Sequence, residues 1–371
     1  MGWNRTVLII SLVFAGCSSS EEEPTDLVSE DPNNENDSDA SGTSEPEDTP
    51  DVDDPGNDTG GDMPGPNEPG PSIPGPGTPV RFVAIGDAGK GNADQQAVAD
   101  AIEAKCAADG CDFVVMLGDN IYEDGVSGVT DPQWQAKFET PYQNINLPFY
   151  AALGNHDYND NNLSSSWSQG PIEVAYTDVS DKWTMPSTYY TFTWGDAGFI
   201  VLDTNSIFFD DTTNGDQEEW YTTALAEVSN ANWTFAIGHH PYLSNGRHGN
   251  AGNYDSISVL GQELQNPVSP VNGRHVKNFL ENHVCGTVDM YLAGHDHNRQ
   301  WMDEPNALCG TEMIVNGAAA SLTELDESRN NVFFEDYDTE GFFYVQIDGN
   351  QLTGQFIDKN GLMNFEKTIT K

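Results

Sequence analysis

Two histidines follow an apolar run in the sequence YLAGHDHN, residues 291–298. One residue separates His295 from His297, and Gly294 precedes the pair. Such a pair is also typical of an ordinary polar turn at the surface. Imidazole nitrogens bind transition metals, however, so the pair indicates a metal site if other parts of the chain supply further donors.

The same order of an apolar run, a glycine and then polar donor residues occurs five times in the chain. The five segments are RFVAIGDAG (81–89), FVVMLGDNIY (113–122), FYAALGNHD (149–157), FAIGHHP (235–241) and YLAGHDH (291–297). Short continuous apolar runs are typical of strands that are buried on both faces. We therefore predict five strands that carry donor side chains at their carboxyl ends.

Helical patterns separate these predicted strands. Residues 93–109 form one such pattern, and residues 216–229 form another that begins with acidic residues. Alternating strands and helices predict βαβ units and a mostly parallel sheet. Ligands of open α/β sheets bind beyond the carboxyl ends of the strands, so we expect the donors to converge there.

The converging donors are oxygen and imidazole nitrogen atoms, and no thiolate is among them. They belong to Asp87, Asp119, Tyr122, Asn155, His239, His295 and His297. Seven donors are too many for one tetrahedral zinc ion. Two metal ions that share a bridging carboxylate use all seven, and Asp119 is the natural bridge because it lies between the outer donors. The sequence therefore predicts a binuclear metal site.

The five motifs, in this order, resemble those of the purple acid phosphatases. The segments LGDNIYEDGV, FYAALGNHDY, MPSTYY and GHHPYLSNGRHG are similar to those of the small, tartrate-resistant kind. The resemblance extends over most of residues 80–358, and it depends on the joint order of the motifs, because any one of them is weak evidence. It implies an α/β fold of four layers, an α/β/β/α metallophosphoesterase sandwich with the metal site at the carboxyl ends of the strands.

The resemblance also implies a role for each donor. Asp119 would bridge two metals, and Fe(III) would be held by Asp87, Tyr122 and His297. A divalent metal (Fe, Zn or Mn) would be held by Asn155, His239 and His295. Carboxylates and a phenolate are hard anionic donors, which suit a trivalent ion, and a tyrosinate bound to iron gives the family its colour.

Tyr122 distinguishes this sequence from the broader metallophosphoesterases. Those proteins typically begin with an Asp-x-His motif, whereas the first motif here reads GDAG, with Gly89 in place of the histidine. We expect Tyr122 to replace that missing donor. The alternative is a non-purple enzyme of the broader group.

Two further histidines match positions of the family that face the substrate phosphate and assist the leaving group. These are His156, which Asp157 would orient, and His248. The ordinary alternative is a histidine that only supports its neighbours or lies at the surface. A second GDAG sequence at residues 195–198 predicts a hairpin turn, with Asp196 facing solvent, and Asp203 is expected to cap a strand end.

The first 79 residues have the composition of an export signal and a tether. Residues 1–17 carry one arginine and an apolar stretch that is too short to span a membrane, and they end in FAGC, which resembles a lipobox with Cys17 as the lipidated residue. Residues 18–79 contain 18 acidic residues and no Lys or Arg, which is typical of a disordered tether. We therefore expect a bacterial cell-envelope lipoprotein, or else a secreted protein.

Residues 80–371, the predicted catalytic domain, contain 42 acidic and 13 basic residues. Such an acidic surface repels nucleic acids and anionic membranes, so it argues against a DNA-binding function. The domain also contains Cys106, Cys111, Cys285 and Cys309. Three pairings are open, and we favour the two local ones, Cys106 with Cys111 and Cys285 with Cys309.

Three functions remain in view. The first is an acid phosphatase that hydrolyses small phosphate monoesters with a metal-bound hydroxide. The second is a non-purple Mn or Zn phosphodiesterase or nucleotidase. The third is a non-catalytic surface lipoprotein that keeps the fold, which is disfavoured because every donor position is filled.

Overall fold

The computed structural model describes most of the chain after residue 74. The described residues are 75, 77–159, 166–259, 262–264, 267, 269, 271–303, 309–326 and 329–371. The predicted signal segment at residues 1–17 and nearly all of the predicted tether at residues 18–79 lie outside these residues.

Sixteen strands occur among the described residues. In chain order they are β1 Val80–Ile85, β2 Phe113–Leu117, β3 Phe149–Ala152, β4 Trp183–Thr184, β5 Tyr190–Trp194, β6 Ala197–Val201, β7 Trp233–Ile237, β8 Ile257–Val259, β9 Gln262–Leu264, β10 Met290–Ala293, β11 Arg299–Met302, β12 Glu312–Asn316, β13 Val332–Asp336, β14 Gly341–Asp348, β15 Gln351–Asp358 and β16 Met363–Thr370. The five predicted strands correspond to β1, β2, β3, β7 and β10.

The helices of the described residues are fewer than the strands. They are α1 Ala93–Asp109, α2 Pro132–Trp134, α3 Gly170–Tyr176, α4 Thr204–Phe209, α5 Gln217–Val228 and α6 Arg274–Phe279. Single π-helical turns continue α2 over Gln135–Glu139 and α6 over Leu280–Val284, and a 3-10 turn covers His156–Tyr158. The predicted helix at residues 93–109 has the bounds of α1, because the Asn92 side chain accepts the amide of Gln95 and caps its start.

The strands form two sheets of seven and a separate hairpin of β8 and β9. The first sheet has the order β16-β15-β14-β1-β2-β3-β4, and the second has the order β13-β11-β12-β10-β7-β6-β5. Each has parallel strands at its centre and antiparallel strands at one or both flanks. The sheets are therefore mixed and not mostly parallel as expected, because in the first sheet the C-terminal strands return as antiparallel neighbours of β1.

The two sheets pack face to face through aromatic rings. Phe82 of β1 meets Phe199 of β6 and Phe235 of β7 edge to face, with ring centroids 5.4 Å apart in both pairs. Residues of β6 alternate between two cores: Phe199 and Val201 face the first sheet, and Ile200 packs with the helices outside. This alternation explains why the strand sequences are apolar throughout, and it confirms the expected α/β/β/α layering.

Two disulfides lie outside the sheets. Cys106 at the end of α1 is bonded to Cys111, and Cys285 is bonded to Cys309. These are the two local pairings that the sequence favoured. The second bond closes a segment of the chain that contains the GHDH sequence.

Candidate metal centre

The strand ends turn sharply where they deliver the predicted donors. Asp87, Asp119 and His295 have left-handed backbone conformations, with φ values of 58°, 52° and 70°. Each follows a glycine. Asp is among the residues that tolerate this region best, and the turn aims the side chain back across the strand end.

The recurring glycines are required by close approach of neighbouring loops. A Cβ at Gly118 would lie 2.6 Å from His239 Nδ1, and a Cβ at Gly154 would lie 2.2 Å from Asp119 Oδ1. A side chain at Gly118 would therefore push away the loop that carries His239. A side chain at Gly154 would push away the loop that carries Asp119. These contacts give a physical reason for the glycines of the second and third motifs.

The first group of donors surrounds the Tyr122 hydroxyl. Its oxygen lies 2.9 Å from Asp87 Oδ1, 2.7 Å from Asp119 Oδ2 and 3.0 Å from His297 Nε2. His297 Nε2 also lies 3.3 Å from Asp87 Oδ1. Four of the seven predicted donors thus meet at one point.

The second group surrounds the side-chain oxygen of Asn155. This Oδ1 lies 3.0 Å from His239 Nε2 and 3.1 Å from His295 Nδ1. His239 Nε2 also lies 3.4 Å from Asp119 Oδ1. Asp119 therefore directs one oxygen toward each group, which places its carboxylate between them.

The donor chemistry of both groups fits bound cations. Asp87 and Asp119 are almost fully buried, and buried carboxylates require a positive charge nearby. Candidate ligand atoms of Asp87, Asp119 and His239 all lie within 4.8 Å of one another. The outer nitrogens of two imidazoles are already engaged: His239 Nδ1 lies 2.9 Å from the Leu117 carbonyl oxygen, and His297 Nδ1 lies 2.8 Å from Ser321 Oγ. Such contacts orient metal-binding histidines with the other nitrogen toward the metal.

Gly89 explains why tyrosine, and not a histidine of the first motif, completes the set. A Cβ at Gly89 would lie 1.8 Å from the Asn120 carbonyl oxygen. The Tyr122 amide donates to the Gly89 carbonyl at 2.9 Å. The loop that brings Tyr122 into the centre therefore occupies the space that a histidine at position 89 would need.

Both predicted proton donors lie beside the donor groups. The His156 ring contacts the Tyr122 ring, with centroids 4.4 Å apart, and the His248 ring lies 4.1 Å from the ring of His295. His156 Nδ1 lies 2.5 Å from the Glu123 carbonyl oxygen. The two imidazoles thus flank the centre from opposite donor groups.

The surroundings shift the pKa values of the histidines at the centre in opposite directions. Burial lowers the pKa of His295 well below its ordinary value, and the neighbouring histidines lower it further, which favours a neutral ring with a free lone pair. Burial also opposes protonation of His156 and His248, but their pKa values are raised, by Asp119 and the Glu123 carbonyl oxygen at His156 and by Asp255 and Asp296 at His248. A raised pKa suits a proton donor.

Asp157 does not orient His156, contrary to the expectation. Its carboxylate accepts the backbone amides of Gly154, Asn120 and Ile121 at 2.8 to 3.0 Å. Burial and the nearby Asp119 raise the pKa of Asp157 to about 6. Asp157 therefore joins the loops that follow β2 and β3, and the ring of His156 is held by Glu123.

Three further supporting residues escaped the sequence interpretation. Glu173 of α3 is fully buried and accepts Asn120 Nδ2 at 3.1 Å, although no local motif marks it. Asp296, between the two histidines of GHDH, accepts the His248 amide at 2.9 Å and Ser244 Oγ at 2.5 Å. Asp255 accepts or shares the proton of His248 Nδ1 at 2.9 Å. Of these three residues, only Asp296 could have been identified from the sequence, because it lies inside a donor motif.

The second GDAG sequence forms the predicted hairpin between β5 and β6, away from the metal donors. Asp196 is half-buried there, and its side chain accepts the Gly77 amide at 2.8 Å. Asp203 lies at the end of β6, but it caps the start of α4 by accepting the amides of Asn205 and Ser206. The expectation of a strand cap is therefore wrong, because the chain enters a helix at once.

Asp203 provides a test of stability against pH. Burial raises its pKa from 3.8 to about 6, although hydrogen bonds from Tyr158 and Ser206 oppose the shift. The folded state holds this proton more tightly than the unfolded chain, so the stabilisation is complete below pH 3.8 and is lost as the pH rises through about 6. Asn can keep the cap without ionising.

We therefore expect Asp203→Asn to gain stability relative to the wild type, by up to about 3 kcal/mol between pH 4 and pH 7. Urea unfolding at several pH values measures this difference. Parallel stability curves for the two proteins would contradict the shifted pKa.

Comparison with known proteins agrees with this geometry. Residues 80–299 match the calcineurin-like phosphoesterase family. Human tartrate-resistant acid phosphatase type 5 is 28% identical over 334 residues, which cover 79% of this chain and 91% of the relative. Purple acid phosphatase 7 of Arabidopsis thaliana is 26% identical over 319 residues, which cover 78% and 86%. The resemblance stated from the motifs is thereby confirmed.

Solved structures show the same fold at low identity. GAP50, titled the anchor in the inner membrane complex of Plasmodium, has a TM-score of 0.58 and 21% identity, with coverage of 79% of this chain and 89% of that one. PhoD has a TM-score of 0.53 and 14% identity, with coverage of 80% and 70%. The family match extends over more than half of the chain and includes the strands and loops that carry all seven donors, so the protein belongs to the calcineurin-like phosphoesterase family.

Proposed function

We propose that this protein is an acid phosphatase that hydrolyses small phosphate monoesters at a binuclear metal centre. The observation that carries the proposal is the position of the Tyr122 oxygen, within 3.0 Å of donor atoms of Asp87, Asp119 and His297. A tyrosine in this donor set is the feature that the motifs share with the purple acid phosphatases. The sequence similarity to proteins of that name supports the same proposal.

In the proposed centre, Asp87, Tyr122 and His297 would hold Fe(III), and Asp119 would be shared with a second, divalent metal. The divalent metal, Fe, Zn or Mn, would be held by Asn155, His239 and His295. The two contact groups described above support this division. Bound cations would neutralise the phosphoryl oxygens and make water a stronger nucleophile at acid pH.

We propose that His156 and His248 are the catalytic proton donors. Each lies beside one donor group and has a raised pKa, so each can hold a proton near the leaving oxygen at acid pH. Glu123 and Asp255 fix the Nδ1 sides of these rings. The Nε2 side of each ring is then available to the substrate.

Replacing His156 or His248 with Ala is expected to lower turnover by about 10² for esters with poor leaving groups, and much less for aryl esters with good ones. A good leaving group departs without protonation, which is why the two substrates should respond differently. Kinetics with an alkyl and a nitrophenyl phosphate measure the contrast, and metal content should stay at the wild-type level. Loss of metal in either variant would mean that the residue is a ligand.

Two other functions make different predictions. A non-purple phosphodiesterase or nucleotidase would work with Mn or Zn and would lack a visible absorption band. A non-catalytic role must also be tested, because the fold alone does not imply catalysis. GAP50, which has this fold, is titled an anchor.

The deciding experiment is metal analysis of the purified protein, together with its visible spectrum and its hydrolysis of 4-nitrophenyl phosphate and bis(4-nitrophenyl) phosphate between pH 4 and pH 8. We expect bound iron, a visible band and preferential cleavage of the monoester at acid pH. Faster cleavage of the diester, without iron, would favour the phosphodiesterase. Failure of the metal-loaded protein to cleave either ester would favour the non-catalytic role.

We further propose that the protein is exported and anchored by a lipid on Cys17, with residues 18–79 as a tether to the catalytic domain at residues 80–371. Among the described residues, no helix has the length and apolar character needed to cross a membrane. Cys17→Ser is expected to move the protein from the membrane fraction to the soluble fraction. A protein that stays with the membranes after this change would remove the lipid anchor from the proposal.

A further inference from the structure

A groove opens beside His297. Residues 246–247 form one wall and residues 322–326 form the other, and the groove has a volume of about 450 Å³. The Thr323 amide donates to the His297 carbonyl at 2.9 Å. One wall of the groove is therefore hydrogen-bonded to the segment that carries His297, a predicted metal ligand.

The opposite wall is held in place and leads to a proposed proton donor. Arg329 Nη1 donates to the carbonyls of Ser244 and Gly246 at 3.0 and 2.7 Å. Arg247 follows directly and is exposed in the groove. His248, the next residue, packs its ring against His295. The backbone of Arg247 is thus fixed between the groove and the side of the centre where the leaving group would depart.

The guanidinium of Arg247 has no carboxylate partner within the part of the chain that the structure describes. Ion pairs with carboxylates are formed there by Lys105, Lys182, Lys277, Arg299, Arg329, Lys359, Lys367 and Lys371. Arg81, Lys90, Lys137 and Arg274 likewise form no ion pair with a carboxylate among the described residues, but none of these four lines the groove. An anion from outside the chain can fill this position.

We propose that this groove binds a second anionic group of the substrate, and that Arg247 is the residue that contacts it. The substrate class is a phosphate monoester whose leaving alcohol carries a carboxylate or another phosphate. A guanidinium binds both anions through two parallel hydrogen bonds. The inference rests on the proposed phosphatase function and specifies which esters that function prefers.

Glu324 lies in the same groove and is exposed. Its carboxylate repels a second anion, so it limits the preference that Arg247 creates. Removing each charge should therefore change the preference in opposite directions.

Lys90, another cation without a carboxylate partner among the described residues, has a different position. Its ammonium lies 4.4 Å from the centre of the Tyr122 ring. Lys90 therefore lies against the ring of Tyr122, and it does not line the groove. We expect Lys90 to interact with the phosphoryl group that is cleaved, which all ester substrates share.

The test compares three esters of one carbon length: 3-hydroxypropyl phosphate, 2-carboxyethyl phosphate and propane-1,3-diyl bisphosphate. The measured quantity is the ratio of kcat/KM for the carboxylate ester, or for the bisphosphate, to kcat/KM for the hydroxyl ester, in the metal-loaded full-length protein. Arg247→Gln is expected to lower this ratio about fivefold or more, and Glu324→Gln to raise it. Comparison of the carboxylate with the bisphosphate shows which anion fits the groove better.

Arg274→Gln is the matched control, because Arg274 is an exposed arginine at the start of α6 and its replacement removes the same charge. This variant should leave the ratio unchanged, and Lys90→Gln should lower kcat/KM for all three esters alike. An unchanged ratio in Arg247→Gln, or an equal fall in Arg274→Gln or Lys90→Gln, overturns the assignment to Arg247. If the wild type cleaves none of the three esters, the proposed phosphatase function fails together with this inference.

Discussion

Asp87→Asn is expected to lower phosphatase activity roughly 100-fold or more and to reduce the amount of bound metal. Asp87 is fully buried, and one of its oxygens lies 2.9 Å from the Tyr122 hydroxyl and 3.3 Å from His297 Nε2. The other oxygen accepts the His295 amide at 2.8 Å. Asn keeps one oxygen acceptor but loses the negative charge, so the centre loses one of its two buried carboxylates.

The backbone should tolerate this change. Asp87 has a φ of 58°, and Asn adopts that region at least as readily as Asp. A loss of activity therefore reports on the charge and the donor atom, and it does not report on strain in the loop. Metal analysis and thermal unfolding of the variant check that the fold is retained.

The chain contains its own matched control, because GDAG occurs twice. In the second copy Asp196 occupies a hairpin turn and accepts the Gly77 amide, a bond that Asn can also accept. Asp196→Asn should leave metal content and activity at wild-type levels. Full activity in Asp87→Asn would exclude Asp87 from the centre, and equal losses in both variants would indicate a general effect on folding.

Tyr122→Phe is expected to abolish the visible band of the iron-loaded protein and to weaken iron binding. Burial and the carboxylates of Asp119 and Asp87 raise the pKa of Tyr122 well above its ordinary value. A phenolate can therefore form here only against the charge of a bound cation, and a trivalent ion is the most effective one. Phe removes this donor and keeps the ring, which is buried beside His156.

The measurements are the visible spectrum, the iron content and the pH profile of hydrolysis. A less firmly held iron should reduce activity most on the acid side, because the trivalent ion is what makes water acidic enough to react there. Tyr158→Phe is a suitable control, because Tyr158 is also buried and bonded to a carboxylate, that of Asp203, outside the donor groups. A visible band that survives in Tyr122→Phe, or a colourless iron-loaded wild type, would favour a non-purple metallophosphoesterase.

The candidate site could be predicted from the sequence because its donors obey local rules. Each apolar run ends in a glycine and is followed within a few residues by a donor, and parallel strands bring their carboxyl ends together. The structure brings the seven predicted residues into two adjacent groups, with Asp119 facing both. The two local disulfides and the bounds of α1 could also be predicted from the sequence, since they depend on neighbours in the chain.

What supports the donors was decided only by the tertiary structure. Glu173 contacts Asn120 across 53 positions of the chain, and Ser321 contacts His297 across 24. Neither contact leaves a repeating pattern in the sequence, because a single buried hydrogen bond needs only one residue at each end. The assignment of Asp157 to His156 failed for this reason: adjacency in the sequence suggested a contact that the backbone directs elsewhere.

The pattern of apolar residues likewise could not predict how the strands divide between the two sheets. β1 and β7 have the same apolar character, yet they belong to different sheets and face each other through Phe82 and Phe235. Hydrophobic periodicity records that both faces of a strand are buried, and it does not record what covers each face. The sequence by itself therefore determined where the strands end and which residues with donor atoms follow them. Packing between the sheets decided which donors meet, because only the approach of loops from both sheets brings His239, His295 and His297 to Asp87, Asp119 and Tyr122.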